Sequence, residues 1–407
     1  MLIRAIYRMY KSSFSGLPLA IWMLSLVVFV NRSGSMVLFF LSLYFTRELQ
    51  LPVAMAGKLI SIYGIGSLFG SFLGGELSDK FGAVRIQLLS LVTTAIGFIL
   101  LSAMHTIIHI AVILFFLAIF SESFRPANAT AIAENCPPLL RPRAFALNRL
   151  AINLGVSIGP AVGGLMASRD YHYLFWIDGL TCLAAAMLLI FYFRKLPVFT
   201  AAHSSIKQEK KKNRIREDRI FLRILLLVFA CGLIFVQLFN TWPIYLREIY
   251  GIEEKYIGLM LTFNALLVVI FEMPLVHKIQ KYDHLKMIAL GSLLLGLGFA
   301  LLPLSTMTVF AAFTVMIWSV GEMLVFPLLT SYIANRADDA ARGKYLGLYN
   351  LSFSLAMFIG PAAGAGLYDQ VSPTVLWIFC GITGIITFFG FHLIRHIRVK
   401  TVNTDHY

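Results

Sequence analysis

Apolar residues run through this chain in long blocks separated by short polar stretches, without the strict alternation of a half-buried strand. Twelve blocks can be placed, over residues 18–44, 55–77, 86–104, 108–134, 144–168, 174–193, 221–245, 256–278, 287–304, 309–334, 344–368 and 375–396. A helix of about twenty apolar residues spans the hydrocarbon layer with its backbone polar groups bonded internally. The pattern therefore predicts an all-α integral membrane protein with twelve transmembrane helices. Only one connection is long and hydrophilic, residues 195–219, with the basic run Lys210-Lys211-Lys212. It divides the chain into a six-helix bundle over 1–194, a cytoplasmic linker, and a second six-helix bundle over 220–407. The linker reads as a solvated tether, with a lipid- or partner-binding role as the alternative.

The halves echo each other. Pro126 precedes Pro160 by 34 residues, and Pro327 precedes Pro361 by the same 34. In that register Gly159-Pro160 falls on Gly360-Pro361, Ile132-Ala133 on Ile333-Ala334, and Arg143 on Lys344. A duplicated unit of this kind predicts two parallel repeats with a substrate site between them near the midplane. In the second block Gly66, Gly70 and Gly74 recur every four residues. They make one smooth helical face that admits a neighbouring backbone. The face runs into a tight charged turn, residues 78–85.

Composition agrees with the blocks: 59% of residues are hydrophobic, 13% are charged, and the mean hydropathy is +0.81. Soluble domains carry about 25% charged residues. A net charge of +14 would suggest nucleic acid in a soluble protein. Here the basic residues sort by loop. With the N-terminus inside, Arg4, Arg8, Lys11, Lys80, Arg85, Arg141, Arg143, Lys281, Arg336, Lys344 and Arg395 all fall on the cytoplasmic side. The other side keeps Arg47, Lys58, Arg169, Arg247 and Lys255. This positive-inside bias puts both termini in the cytoplasm. Cys136, Cys182, Cys231 and Cys380 stand apart, so neither a disulfide framework nor a metal site is indicated. The first block is too long for a signal-peptide core and is expected to remain as a helix. No Gly-x-x-x-x-Gly-Lys-Ser/Thr loop occurs, which disfavours an ATP-driven pump.

The turn Gly75-x-x-x-Asp79-Lys80-x-Gly82-x-x-Arg85 resembles the signature between helices 2 and 3 of the major facilitator superfamily, departing from it at Ala83, where a basic residue is usual. Gly155-x-x-x-Gly159-Pro160-x-x-Gly163-Gly164 is similar to the helix 5 motif of that superfamily's proton-coupled exporters. With the internal repeat, the resemblance covers essentially the whole chain, and it points to the twelve-helix drug or metabolite:proton antiporters. It implies the major facilitator fold, transport without enzymatic chemistry or cofactor, and a cavity lined by helices 1, 4, 7 and 10. Asp79 stands at a helix end, where a carboxylate can face the positive N-terminus of a neighbour. A contact made and broken as the halves rock would be a conformational latch, and the resemblance supplies helix 11 as its partner. A plain topology signal is the other reading of Asp79-Lys80. In the helix 5 motif, glycines admit a neighbour and Pro160 removes a hydrogen bond, which serves packing or directionality alike.

Charges inside the bilayer cost ~2.5–3.5 kcal/mol each at a helix centre and mark function. Glu322, Glu272 and Glu122 are the proton-coupling candidates, in that order. Glu322 and Glu272 have no basic residue within a helical turn. The stretch Gly321-Glu322-x-x-x-x-Pro327 also resembles helix 10 of lactococcal-type multidrug:proton antiporters. Glu122 and Arg125 share a helix face and read equally as a structural ion pair, shared with Arg32. Asn31, Arg32, Arg125, Gln237, Asn240 and Trp242 are candidates for the substrate cavity, although helix–helix hydrogen bonds explain Gln237 and Asn240 as well. Asp178 is expected at the membrane interface.

The resulting expectation is a monomeric, multi-pass exporter of the bacterial inner membrane. Its partners are the bilayer, protons and a small amphipathic substrate, with no nucleic acid. Two rivals stand beside it: a proton-coupled symporter importing a peptide or sugar, and a membrane receptor that does not transport.

Overall fold

A computed structural model describes residues 16–193, 218–279, 282–336 and 342–404. Most of the linker, together with Arg4, Arg8, Lys11 and Lys281, lies outside the described residues. Among the described residues there is no strand. Twelve helices are long and apolar enough to cross a membrane. They are α1 (Leu19–Glu48), α2 (Val53–Phe81), α3 (Ala83–Ser102), α4 (Ile107–Asn135), α5 (Arg143–Ala167) and α6 (His172–Phe193), then α7 (Arg219–Phe239), α8 (Glu254–Val276), α9 (His284–Leu304), α10 (Thr308–Arg336), α11 (Lys344–Gln370) and α12 (Pro373–Arg395).

The contacts divide the chain into two units. The first runs through Val37 and resumes at Gly66, as far as the linker; the second takes Leu38–Ile65 and everything after the linker. Each unit repeats the same internal scheme. In the first, α3 packs with α4 and α6, and α1 with α5. In the second, α9 packs with α10 and α12, and α7 with α11.

Lipid is as apolar as leucine, so close backbone approach rather than hydrophobic burial drives helices together in a bilayer. The glycine face of α2 works in this way. Gly66 lies on the Phe115 carbonyl of α4, Gly70 on the Ile119 carbonyl and Gly74 on Ser123. The partner positions also step by four, and Ser123 Oγ donates to the Gly70 carbonyl at 3.0 Å. At the turn beyond, Gly82 sits at φ +92°, where a side chain would be strained, and α3 starts at the next residue. The second unit is filled instead by aromatics. Phe299 stacks between Trp318 (5.8 Å) and Trp377 (5.9 Å), and Trp242 meets Trp318 edge-on at 6.5 Å.

Two spans predicted as continuous are interrupted. In α1 the helix Leu19–Ser33 stops at Gly34, and a second helix restarts over Val37–Leu43. In α7 the helix Arg219–Phe235 tightens into a 3-10 turn, Val236–Phe239, and restarts at Thr241 after Asn240 leaves helical geometry. Both are the first span of their half.

At the other end of α7, Asp218 caps the helix through the Phe221 N–H (3.0 Å). It also takes two hydrogen bonds from the Arg336 guanidinium at 2.8 and 2.6 Å and one from the Tyr345 hydroxyl at 3.1 Å. Burial opposes its charge, but these donors outweigh burial and hold the carboxyl below the usual aspartate range.

Candidate functional site

Glu322 lies in the second unit, on the face of α10 turned toward α8. Its Oε2 accepts from Asn264 Nδ2 at 3.0 Å, and the same amide nitrogen donates to Ser319 Oγ at 2.9 Å. Ser319, one turn earlier on α10, passes its own proton to the Val315 carbonyl at 2.6 Å. Glu272 is buried on α8 and lies within Coulombic reach of Glu322. Among the described residues no basic side chain pairs with Glu322. Its direct partner is a neutral amide, which can bond to the oxygen whether or not the acid carries a proton. Asn264 was not singled out in the sequence. Its one signal is a position eight residues before Glu272, a little over two turns along the same helix.

The other candidates divide into paired and packed groups. Arg125 Nη1 stands 3.4 Å from Glu122 Oε2; the arginine side chain is 69% exposed and the glutamate 17%, which fits the ion-pair reading. Gln237, Asn240 and Trp242 are buried at the α7 break. Gln237 Nε2 donates to the Gly360 carbonyl at 3.2 Å, and Asn240 Nδ2 to the Pro361 carbonyl at 2.8 Å. Gly364 leaves the space that the Gln237 side chain fills. These α7 residues hold a broken helix to α11, and Trp242 belongs to the aromatic core.

In the first unit, Asn31 faces α6, and the Arg32 Cβ lies against Gly155 of α5. Asn31 Nδ2 donates to Cys182 Sγ at 3.3 Å, and Arg32 is within Coulombic reach of Asp178 and Cys182. Asp178, expected at the membrane interface, is only 3% exposed. Its carboxylate accepts from the backbone N–H groups of Met36 (3.1 Å) and Val37 (3.0 Å), where α1 restarts. Local hydropathy hides this role, because the partners lie 142 and 141 residues away. The helix 5 motif packs on the same break. A Cβ on Gly155 would stand 2.7 Å from Arg32 Cβ, and one on Gly159 2.9 Å from the Ser35 carbonyl. Pro160, Gly163 and Gly164 are buried.

The end of α2 is exposed at Asp79 and Lys80, and the start of α3 at Arg85. Lys80 Nζ pairs with Glu76 at 2.6 Å, one turn back, and Asp79 is within Coulombic reach of Glu134. A Cβ on Gly75 would meet only Pro126, at 4.0 Å. Among the described residues no group of three or more His, Cys, Asp or Glu is placed to hold a metal.

Known proteins resemble this chain along most of its length. The chain is 26% identical to an uncharacterized MFS-type transporter, YqjV, of Bacillus subtilis (strain 168), over 93% of this chain and 94% of that one. It is 25% identical to a Na(+), Li(+), K(+)/H(+) antiporter of Planococcus maritimus over 88% and 89%. It is 24% identical to the multidrug resistance protein MdtH of Proteus mirabilis (strain HI4320) over 89% and 91%. Among solved structures, a peptide transporter in complex with alafosfalin superposes with a TM-score of 0.78 at 17% identity, over 95% of this chain and 96% of that one; this likeness concerns the fold. The Major Facilitator Superfamily model matches residues 22–350 and again 238–405. The chain belongs to the major facilitator superfamily and is a multi-pass membrane transporter of that fold.

Proposed function

We propose that this chain is a secondary active exporter that moves a small, amphipathic molecule out of the cell against an inward flow of protons, by alternating access. Glu322 is the proton carrier in this reading, and one observation carries it: a half-buried carboxylate whose direct partner is a neutral amide and whose charged neighbour is a second carboxylate. A carboxylate clamped by arginine is fixed in its ionised form, because arginine keeps its proton. One held by an amide can gain and lose a proton without stranding a buried cation.

In the proposed cycle, ionised Glu322 accompanies substrate loading from the cytoplasm or inner leaflet, and protonation from outside accompanies release. An inward potential of 100 mV adds ~2.3 kcal/mol per charge moved. The basic loops support an orientation with both termini cytoplasmic, in a bacterial inner membrane. The multidrug and cation/H+ relatives support antiport, and the helix 5 motif supports export.

The test uses inside-out vesicles carrying the full chain, an imposed pH gradient, and two probes, ethidium and Na+. Ethidium accumulation dissipated by a protonophore, and lost in Glu322→Gln, is expected. Gradient-driven Na+ movement alone would make the cargo an alkali cation. No flux of either, or normal coupling in the glutamine variant, would overturn the proposal.

A further inference from the structure

A buried carboxylate at the α1 break raises a question of economy. The Val37 N–H at the helix restart needs an acceptor, whereas the Met36 N–H also reaches the Gly34 carbonyl at 2.7 Å; serine, threonine or asparagine provides an acceptor without a charge to bury. Asp178 is 3% exposed and yet is an acid. Arg32, in the last turn of the helix that ends at Ser33, is an opposite charge within its reach. The break thus carries opposite charges on its two sides. The cation sits where a helix C-terminus favours it, and the anion faces the N–H groups of the restart.

The surroundings leave this arrangement little freedom. On the α6 side a Cβ on Gly34 would collide with the Thr181 hydroxyl. On the α5 side Gly155 and Gly159 lie against Arg32 and Ser35. Asn31 is tied to Cys182, one helical turn beyond Asp178. Chain contacts pass from the first unit to the second immediately after Val37, so the residues held by Asp178 are the last of the first unit before the crossing.

We propose that Asp178 is a positioning residue: by holding the restart of α1 through Met36 and Val37, and Arg32 by its charge, it sets where the Asn31-Arg32 pair is presented. Asp178 touches no substrate in this scheme and acts through Arg32. The inference rests on the reading of Arg32 as a cavity residue, whereas its test reads Arg32 itself.

Arginine modification by phenylglyoxal at pH 8, followed residue by residue by mass spectrometry on the detergent-solubilised full chain, supplies that reading. Exposed Arg125 is the internal reference. In the parent protein Arg32 is expected to react at least fivefold more slowly than Arg125. Asp178→Asn should raise the Arg32 rate fivefold or more with Arg125 unchanged, and Asp178→Glu should return it to within twofold of the parent. Hydrogen exchange at Met36 and Val37 should rise in Asp178→Asn and not in the Glu variant. An unchanged Arg32 rate, or an equal rise at Arg125, overturns the proposal. Should neither variant fold, equal Arg32 and Arg125 rates in the parent overturn it alone. Failure of ethidium–proton exchange in the parent would overturn the exporter reading and leave the labelling result standing.

Discussion

Asn264 on α8 holds Glu322 on α10 at 3.0 Å, and the same amide nitrogen reaches Ser319 at 2.9 Å. A hydrogen bond to an ionised group contributes about 1.5–3 kcal/mol, and one between neutral groups about 0.5–1.5 kcal/mol. Asn264→Ala should therefore lower the unfolding free energy by about 1.5–3 kcal/mol in the parent at alkaline pH. In a Glu322→Gln background the loss should shrink to about 0.5–1.5 kcal/mol. Thermal unfolding of the four proteins in detergent measures the difference; equal losses in both backgrounds would mean that Glu322 is already neutral.

The fit of α1 against α6 turns on Gly34, where a Cβ would meet the Thr181 side chain. Overpacking of this kind costs about 1–3 kcal/mol. Gly34→Ala should lower the melting temperature; Gly34→Ala with Thr181→Ala should recover only part of the loss, and with Thr181→Gly most of it, because the Thr181 Cβ would itself stand 2.7 Å from the new methyl.

Gly70 presents the contrasting case. Its neighbour is the Ile119 backbone carbonyl, which no second substitution removes. Gly70→Ala should cost about 1–3 kcal/mol, and shortening Ile119 should not rescue it. Recovery in Gly70→Ala with Ile119→Ala would show that α4 can slide.

The Asp218 cluster outside the bilayer predicts an acid dependence. Its carboxyl is held below the ordinary value of 3.8 in the folded protein, so the stabilisation is present above that value and lost as pH falls through the lower, folded one. The stability gap between the parent and Asp218→Asn should be widest near pH 7 and close as the solution is acidified below pH 4. Unfolding followed by intrinsic tryptophan fluorescence across that range measures it. A gap that widens in acid would contradict the assignment.

Much of the fold is legible in the sequence because a bilayer demands long apolar runs, and the runs are unmistakable. The glycine face of α2 is legible for a similar reason, since a period of four residues is a property of one helix. The interruptions of α1 and α7 are not: the polar run 31–35 lies inside an otherwise apolar block that reads as one span, and hydropathy stays high through Val236. Nor are the roles of Asp178 and Asn264, whose partners stand on other helices and follow from packing alone. Glu322 could be picked out as a stranded acid, but not the amide that holds it. Gln237 and Asn240, polar groups at cavity depth in one dimension, proved to be occupied by α11 carbonyls in three.

The interruptions of α1 and α7 answer one backbone problem with opposite chemistry. In α1 a neighbour lends an acceptor to the amides of the restart; in α7 the span lends donors to a neighbour's carbonyls. The two solutions are thus independent, since neither constrains the residues of the other. An engineer grafting one half's interrupted segment into the other would have to transplant the supporting helix with it, α6 in the first case and α11 in the second.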